Sequence, residues 1–305
     1  MQIFYSSGKL MISGEYAVLQ GATALALPTI KGQSLTVEEK SDLLESSIFW
    51  DSYDENGEIW FNVKISLPNF LIEETTDELV AIQLVRFLIT AKALNPIFLN
   101  ESKIYSVKTI LEFDRELGLG SSSTLTNNIA QWANVDAFKL HFNAFKGSGF
   151  DLAVANFQEP LLYQVNHQVP TIEIVHWDKS FNNLLFFVYL NKKQISRNEI
   201  ASFQNKPHFS FNRLEEITRI SKLLAHSNDY FEFCLLLEIA ESETSEALGR
   251  PTIKQEMFSD FHGTIKSLGA WGGDFILATG ENTEEYFTTK GFNQIVPFNE
   301  MIKTK

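Results

Sequence analysis

Hydrophobic and polar positions alternate through much of the first 110 residues, and this two-residue period predicts strands. The clearest run is Glu58 to Ile65, where Ile59, Phe61, Val63 and Ile65 alternate with Trp60, Asn62 and Lys64 behind the turn pair Asn56-Gly57. Ile30 to Val37 and Ser106 to Phe113 read the same way. Asp77 to Leu94 breaks the pattern. Its apolar residues Leu79, Ile82, Leu84, Val85, Leu88 and Ile89 follow helical spacing, and Pro96 closes the segment.

From Ser121 to about Phe145 the period is helical again. Asn183 to Leu190 has the length and the β-branched and aromatic content of a buried strand. Phe211 to Ala225 and Asp229 to Leu248 predict consecutive amphipathic helices broken at Ser227-Asn228. Pro251-Thr252 opens a further helix, Asp274 to Thr279 reads as a strand, and Glu284 to Lys290 predicts a helix ended by Gly291. No internal repeat is visible. The shift from strand-rich to helix-rich character near residues 160 to 180 predicts an α+β chain of two domains, 1–170 and 171–305. A length of 305 residues also exceeds what one core usually holds.

Composition narrows the function classes. A chain 44% hydrophobic and 21% charged is not globally disordered. A net charge of −13 argues against nucleic acid and anionic membrane surfaces as partners, while leaving a small anionic ligand to a local basic pocket. No apolar stretch reaches bilayer-spanning length, and the N-terminus lacks a basic segment followed by an apolar core. The single cysteine, Cys234, has no intrachain partner, which fits a reducing cytoplasm.

The six histidines are never closer than nine residues, so no local histidine metal motif exists. Neither a Gly-x-Ser-x-Gly elbow nor a Gly-x4-Gly-Lys-Ser/Thr loop occurs. Four other segments carry candidate chemistry. Gly118-Leu119-Gly120-Ser121-Ser122-Ser123-Thr124 lies between a strand and a helix, with its serines where helix caps stand. There the unpaired first-turn amides would attract an anion, and a serine hydroxyl would add a ligand to phosphate-bound Mg²⁺. An ordinary glycine turn with a serine cap explains it equally well. In Ser7 to Leu19, Lys9 and Glu15 flank a short apolar strand. In Gly147-Ser148-Gly149-Phe150-Asp151, the aspartate is either a helix N-cap or a carboxylate beside a close-approach loop. Leu268 to Leu277 is a glycine-rich turn entering a strand.

Together these segments resemble the galactokinase, homoserine kinase, mevalonate kinase and phosphomevalonate kinase superfamily. Gly8-Lys9-Leu-x-Ile-x-Gly14-Glu15-Tyr16-Ala17-Val18-Leu19-x-Gly21 is similar to its first motif and Gly118 to Thr124 to its phosphate loop. Gly269-Ala270-Trp271-Gly272-Gly273 is similar to its third motif. The resemblance implies a two-domain small-molecule kinase, with an N-terminal domain like ribosomal protein S5 domain 2 and a ferredoxin-like C-terminal domain. It implies ATP and Mg²⁺ as cofactors and a small-molecule acceptor in the cleft between domains; a homodimer is compatible with it. By residue-for-residue match, Lys9 and Asp151 are the catalytic pair. Gly118, Leu119, Gly120, Ser121, Ser122 and Ser123 would hold the nucleotide, with Ser122 on the metal. Glu15, Ser148, Gly149, Gly272 and Gly273 would face the acceptor.

Three positions depart from the superfamily pattern. Leu140 stands where some relatives carry a metal-binding glutamate, Asp114 where the phosphate loop usually begins with proline, and Trp271 where a glycine is usual. The segments around Asp151 and Gly272-Gly273-Asp274 are more similar to phosphomevalonate kinases. A phosphorylated acceptor would need cations, for which Lys146, Lys192, Lys193 and Arg197 are candidates. The resemblance therefore leads to an isoprenoid-pathway kinase, phosphomevalonate kinase first. A mevalonate kinase, another small-alcohol or sugar kinase and a non-catalytic binding member remain as alternatives.

Overall fold

The computed structural model describes residues 1–41, 46–100, 102–145, 147–191, 209–269, 271 and 274–304. Its strands are β1 (Gln2–Ser13), β2 (Ala24–Ser41), β3 (Ser47–Tyr53), β4 (Ile59–Ser66), β5 (Leu71–Thr75), β6 (Lys103–Leu111), β7 (Leu161–Asn166), β8 (Val169–Ile174), β9 (Leu185–Tyr189), β10 (Ile265–Ser267), β11 (Phe275–Thr279) and β12 (Ile295–Pro297). Its helices are α1 (Glu78–Leu94), α2 (Ser121–Ala133), α3 (Ala137–Ala144), α4 (Phe150–Phe157), α5 (Phe211–His226), α6 (Tyr230–Leu248), α7 (Ile253–Met257), α8 (Thr283–Thr289) and α9 (Phe298–Met301). The α+β class is as the periodicities predict. The chain divides into two compact units that are discontinuous in sequence. One holds residues 1–8, 31–115 and 120–156; the other holds 9–30, 116–119 and 157–305.

In the first unit the strand order is β5-β4-β3-β6-β2, with β2 contributing Gln33 to Ser41. β3 and β6 run parallel and the other pairs antiparallel. Alternation sets which side chains enter the core. Phe61, Val63 and Ile65 of β4 are buried with Trp50, Tyr105 and Val107, although Ile59 at the start of β4 is exposed. Helix α1 begins where Asp77 accepts the N–H groups of Leu79 and Val80. Its buried stripe is Ala81, Leu84, Phe87, Leu88 and Ala91, whereas Leu79, Ile82 and Ile89 are exposed. The predicted helix from Ser121 to Phe145 is two helices, broken by Asn134 in the left-handed region and restarted by the Asp136 cap.

In the second unit Ala24 to Ala26 of β2 pair with β7, which pairs with β8. A separate antiparallel sheet has the order β10-β11-β9-β12. The strand predicted from Asn183 begins at Leu185, because residues 182–184 form a 3₁₀ turn. Helices α5 and α6 start at the side-chain caps Ser210 and Asp229, α6 ends at left-handed Gly249, and a Thr252/Gln255 capping box opens α7. Cys234 is half-buried, its sulfur 3.3 Å from the Thr279 hydroxyl.

Candidate active site

Lys9 sits near the middle of β1, and the apolar run Leu10, Met11 and Ile12 that follows it is buried. Its amide donates to Leu119 O and its ammonium to Gly118 O, both at 2.9 Å. Leu117 and Leu119 are buried, so the loop is anchored by its leucines while Gly118 stays at the surface of that anchor. Gly118 has φ +66°, and a Cβ built there would lie 2.6 Å from Asp274 Oδ2. Asp274 is itself buried and has φ +51°, a conformation that aspartate tolerates better than most side chains. Gly269 approaches the same oxygen, since its Cβ would lie 3.6 Å away. Three segments far apart in sequence therefore meet at Gly118 within the second unit.

In the first unit, the loop runs on into α2. The N-cap position is held by Gly120 at φ +92°, and no side chain caps this end. The serines are thus not caps, as their sequence position suggested. They occupy the first turn, where the positive end of the helix dipole favours an anion, although the Ser123 amide already donates to Gly120 O at 3.1 Å. Ser123 is buried and its hydroxyl donates back to Gly120 O at 2.8 Å, while Ser122 is exposed and Ser121 half-buried. A buried polar network fixes α2 from behind. Asn128 donates to Gln33 O, and Asn127 donates to Ser6 Oγ and to Ala155 O of α4. These buried hydrogen bonds tie α2 to β1, β2 and α4, although the side-chain oxygen of Asn127 is buried without a partner.

Asp151 lies in the first turn of α4, and its Oδ1 accepts the N–H of the next residue, Leu152, at 3.0 Å. An N-cap would precede the helix and serve amides two or three positions on, so the capping reading does not hold. Ser148 and Gly149 are buried beside it, Gly149 at φ +78°. Sequence reasoning missed His141 of α3. Its Nε2 is buried without a hydrogen-bond partner, 3.7 Å from where a Gly147 Cβ would stand. Burial holds the His141 pKa below its usual 6.5, and the Asp151 charge opposes that shift.

Glu15 is buried, and Lys266 donates to its Oε1 at 2.8 Å; Lys266 is also 3.4 Å from Glu241 Oε2. Neither Lys266 nor Glu241 belongs to a recognisable motif, so nothing in the sequence pointed to them. Trp271 is buried with Tyr16, Ala17, Phe209, Ile217 and Leu248, and its amide donates to the Tyr16 hydroxyl. Leu140 is fully buried in the core of the first unit and holds nothing. Among the described residues no cluster of three or more His, Cys, Asp or Glu side chains could hold a metal. A cavity of about 490 Å³ beside Phe186, Gly280 and Glu281 is lined by none of the motif residues, and the chemistry of those residues outweighs its size. Gly272, Gly273, Lys146, Lys192, Lys193 and Arg197 lie outside the described residues.

No protein-family model and no curated protein matches the sequence. Solved structures do match over nearly the whole chain. The Streptococcus pneumoniae phosphomevalonate kinase, solved with phosphomevalonate and AMPPNP, has a TM-score of 0.69 at 18% identity over 95% of each chain. The Methanococcus jannaschii mevalonate kinase has a TM-score of 0.65 at 13% identity over 96% of each chain. The fold is shared with these two kinases. A sugar kinase has a similar fold: the Lactococcus lactis galactokinase complexed with galactose has a TM-score of 0.66 at 12% identity, covering 99% of this chain and 93% of that one. Identities this low show a shared fold alone, and the residues at Gly118, α2 and Asp151 must carry any argument about chemistry.

Proposed function

We propose that this protein is an ATP-dependent small-molecule kinase whose acceptor is 5-phosphomevalonate in preference to mevalonate. The observation that carries the reading is the meeting of Lys9, Gly118 and Asp274, on a loop that runs directly into the uncapped start of α2. Phosphoryl transfer asks a protein mainly to position its reactants and to offset charge on the transferring group. First-turn amides of α2 would hold the nucleotide phosphates, and the Lys9 ammonium would offset charge as the γ-phosphoryl leaves ADP. The attacking acceptor oxygen forms the new P–O bond as the bond to the β-phosphate oxygen breaks. Asp151 would orient the acceptor and would take its hydrogen if the acceptor is an alcohol. A phosphate acceptor is already ionised at neutral pH, which leaves Asp151 a positional part.

Mg²⁺ suits the oxygen donors present, because it keeps several waters and needs few protein ligands when phosphates supply the rest. The exposed hydroxyl of Ser122 would be its protein ligand, and the bound ion would neutralise phosphate charge. The preference for a phosphorylated acceptor rests on the resemblance of the Asp151 and Gly272-Gly273-Asp274 segments to phosphomevalonate kinases. The test is ADP release with Mg-ATP against phosphomevalonate, mevalonate, galactose and amino alcohols. We expect kcat/KM for phosphomevalonate to exceed that for mevalonate by about tenfold to hundredfold, the worth of one or two charge-assisted contacts. A preference for mevalonate would reassign the acceptor, and no turnover of any of these acceptors would overturn the kinase reading.

A further inference from the structure

The His141 ring on α3 sits among aromatic rings. Phe142 meets it edge-on with ring centroids 5.3 Å apart, and Phe145 lies nearly parallel to it at 6.4 Å. A phenylalanine would suit these neighbours, yet the ring carries nitrogens, and Nε2 is buried with no hydrogen-bond partner. Leaving a buried polar atom unpaired costs stability, so the nitrogen is kept against the packing. It lies beside the loop that leads to Asp151, 3.7 Å from where a Gly147 Cβ would stand. Gly147 is exposed, and His141 and Asp151 are each half-buried, so these groups lie at the surface of the first unit. Asp151 Oδ1 accepts the Leu152 amide, and no lysine or arginine among the described residues pairs with this carboxylate. Among the described residues, Asp151 is also the charged group that acts on His141. Helix α2 has no charged side chain, and neither Glu78, Arg86 and Lys92 of α1 nor Asp136 and Lys139 at α3 contributes.

Burial keeps the His141 ring neutral, and the single charge of Asp151 opposes burial without overcoming it. An acceptor phosphate is a stronger source of field. It is dianionic at neutral pH, its second ionisation lying at about pH 6. Oriented by Asp151, it would add two negative charges beside a carboxylate that lacks a cation. Such a site needs a group that turns positive as the ligand arrives, and imidazole is the side chain whose charge changes near neutral pH. We infer that His141 determines specificity for a phosphorylated acceptor: its ring, neutral in the free protein, takes a proton from solvent when the acceptor phosphate binds beside Asp151, and offsets the charge of both. The place of the acceptor rests on the kinase reading above. Both nitrogens of an imidazolium donate, so Nε2 then presents an N–H toward the loop that carries this charge. Mevalonate lacks the phosphate and leaves the ring neutral.

The experiment uses the full chain as wild type, His141→Phe and His141→Gln, at about pH 7.5, where the acceptor phosphate is almost wholly dianionic. Calorimetric titration in buffers of different ionisation enthalpy counts the protons taken up on binding. Wild type should take up at least about half a proton per phosphomevalonate and almost none per mevalonate, and both variants almost none with either ligand. With Mg-ATP, the KM for phosphomevalonate should rise about tenfold to hundredfold in both variants, while the KM values for ATP and mevalonate stay nearly unchanged. That loss should shrink as pH rises, because a group whose pKa is higher in the complex adds affinity below that pKa and none above it. A purely structural part for His141 would disturb both acceptors alike and leave the proton count unchanged. Equal proton uptake by wild type and the folded variants, or an unchanged phosphomevalonate KM in them, overturns the proposal. If neither variant folds, the wild type decides: greater uptake with phosphomevalonate than with mevalonate supports it, and equal uptake overturns it. If no acceptor turns over, the kinase reading falls, while the proton count on phosphomevalonate binding still decides this inference; absence of phosphomevalonate binding overturns the inference together with the acceptor assignment.

Discussion

Replacing Gly118 by alanine tests the meeting point of Lys9, the phosphate loop and Asp274, and Gly57→Ala supplies the internal reference. Both glycines have left-handed backbone, φ +66° at Gly118 and +82° at Gly57. A Cβ in that region costs roughly 1–2 kcal/mol by itself. At Gly57, in the exposed turn before β4, nothing lies within 4 Å of the added carbon, so that is the whole cost. At Gly118 the new Cβ would stand 2.6 Å from Asp274 Oδ2 and 2.9 Å from its Cγ. Asp274 is 6% exposed and sits at φ +51°, so its short side chain has little room to retreat. Overpacking of this kind adds about 1–3 kcal/mol. Urea denaturation should therefore place Gly118→Ala about 1–3 kcal/mol below Gly57→Ala. Adding Asp274→Gly, which removes the carboxylate and suits the backbone, should recover most of the difference. Binding of AMPPNP, measured by calorimetry, should weaken at least about tenfold in Gly118→Ala, because a shift at Gly118 displaces Gly120 and the first turn of α2, to which the nucleotide phosphates are assigned. Equal stability losses in the two alanine variants, together with unchanged AMPPNP affinity, would refute the reasoning.

Lys9→Met should lower kcat by about a hundredfold to a thousandfold, the usual effect of losing one group that stabilises transition-state charge, with little change in AMPPNP affinity. Asp151→Asn should lower kcat far more than it raises the KM for ATP, and near-normal turnover would leave the carboxylate without a catalytic part. Burial lowers the folded-state pKa of His141 from 6.5, so this group contributes stability above that value and loses it as pH falls through the lowered one. Urea midpoints should therefore drop on acidification in the wild type and drop less in His141→Phe, whereas identical pH slopes would show that His141 titrates as a solvated group.

The elements of this fold are written locally. Alternating burial needs a two-residue period and one-sided helix burial a period of 3.6, so β4, β6, α1, α5 and α6 were legible from spacing, and the folded chain adds the caps Asp77, Ser210 and Asp229 that start the three helices. The motif segments were legible too, because close backbone approach demands glycine at particular places. Which face of α1 is buried was not legible. Apolar residues surround that helix, and packing in the core of the first unit chose Ala81, Leu84, Phe87, Leu88 and Ala91 over Leu79, Ile82 and Ile89. Nor were the roles of the polar residues. Nothing in the sequence marks Lys266 as buried, yet Ile265, Lys266 and Ser267 are all buried, and carboxylates from positions 15 and 241 converge on that ammonium. The Ser121-to-Ser123 run and Asp151 look like caps in sequence, and only the observed start of each helix assigns them to a first turn. A period records how one residue relates to its near neighbours. The Glu15 charge that helps make a buried Lys266 tolerable, and the Asp274 contact that requires glycine at 118, both come from residues more than a hundred positions away, which only the folded chain brings together.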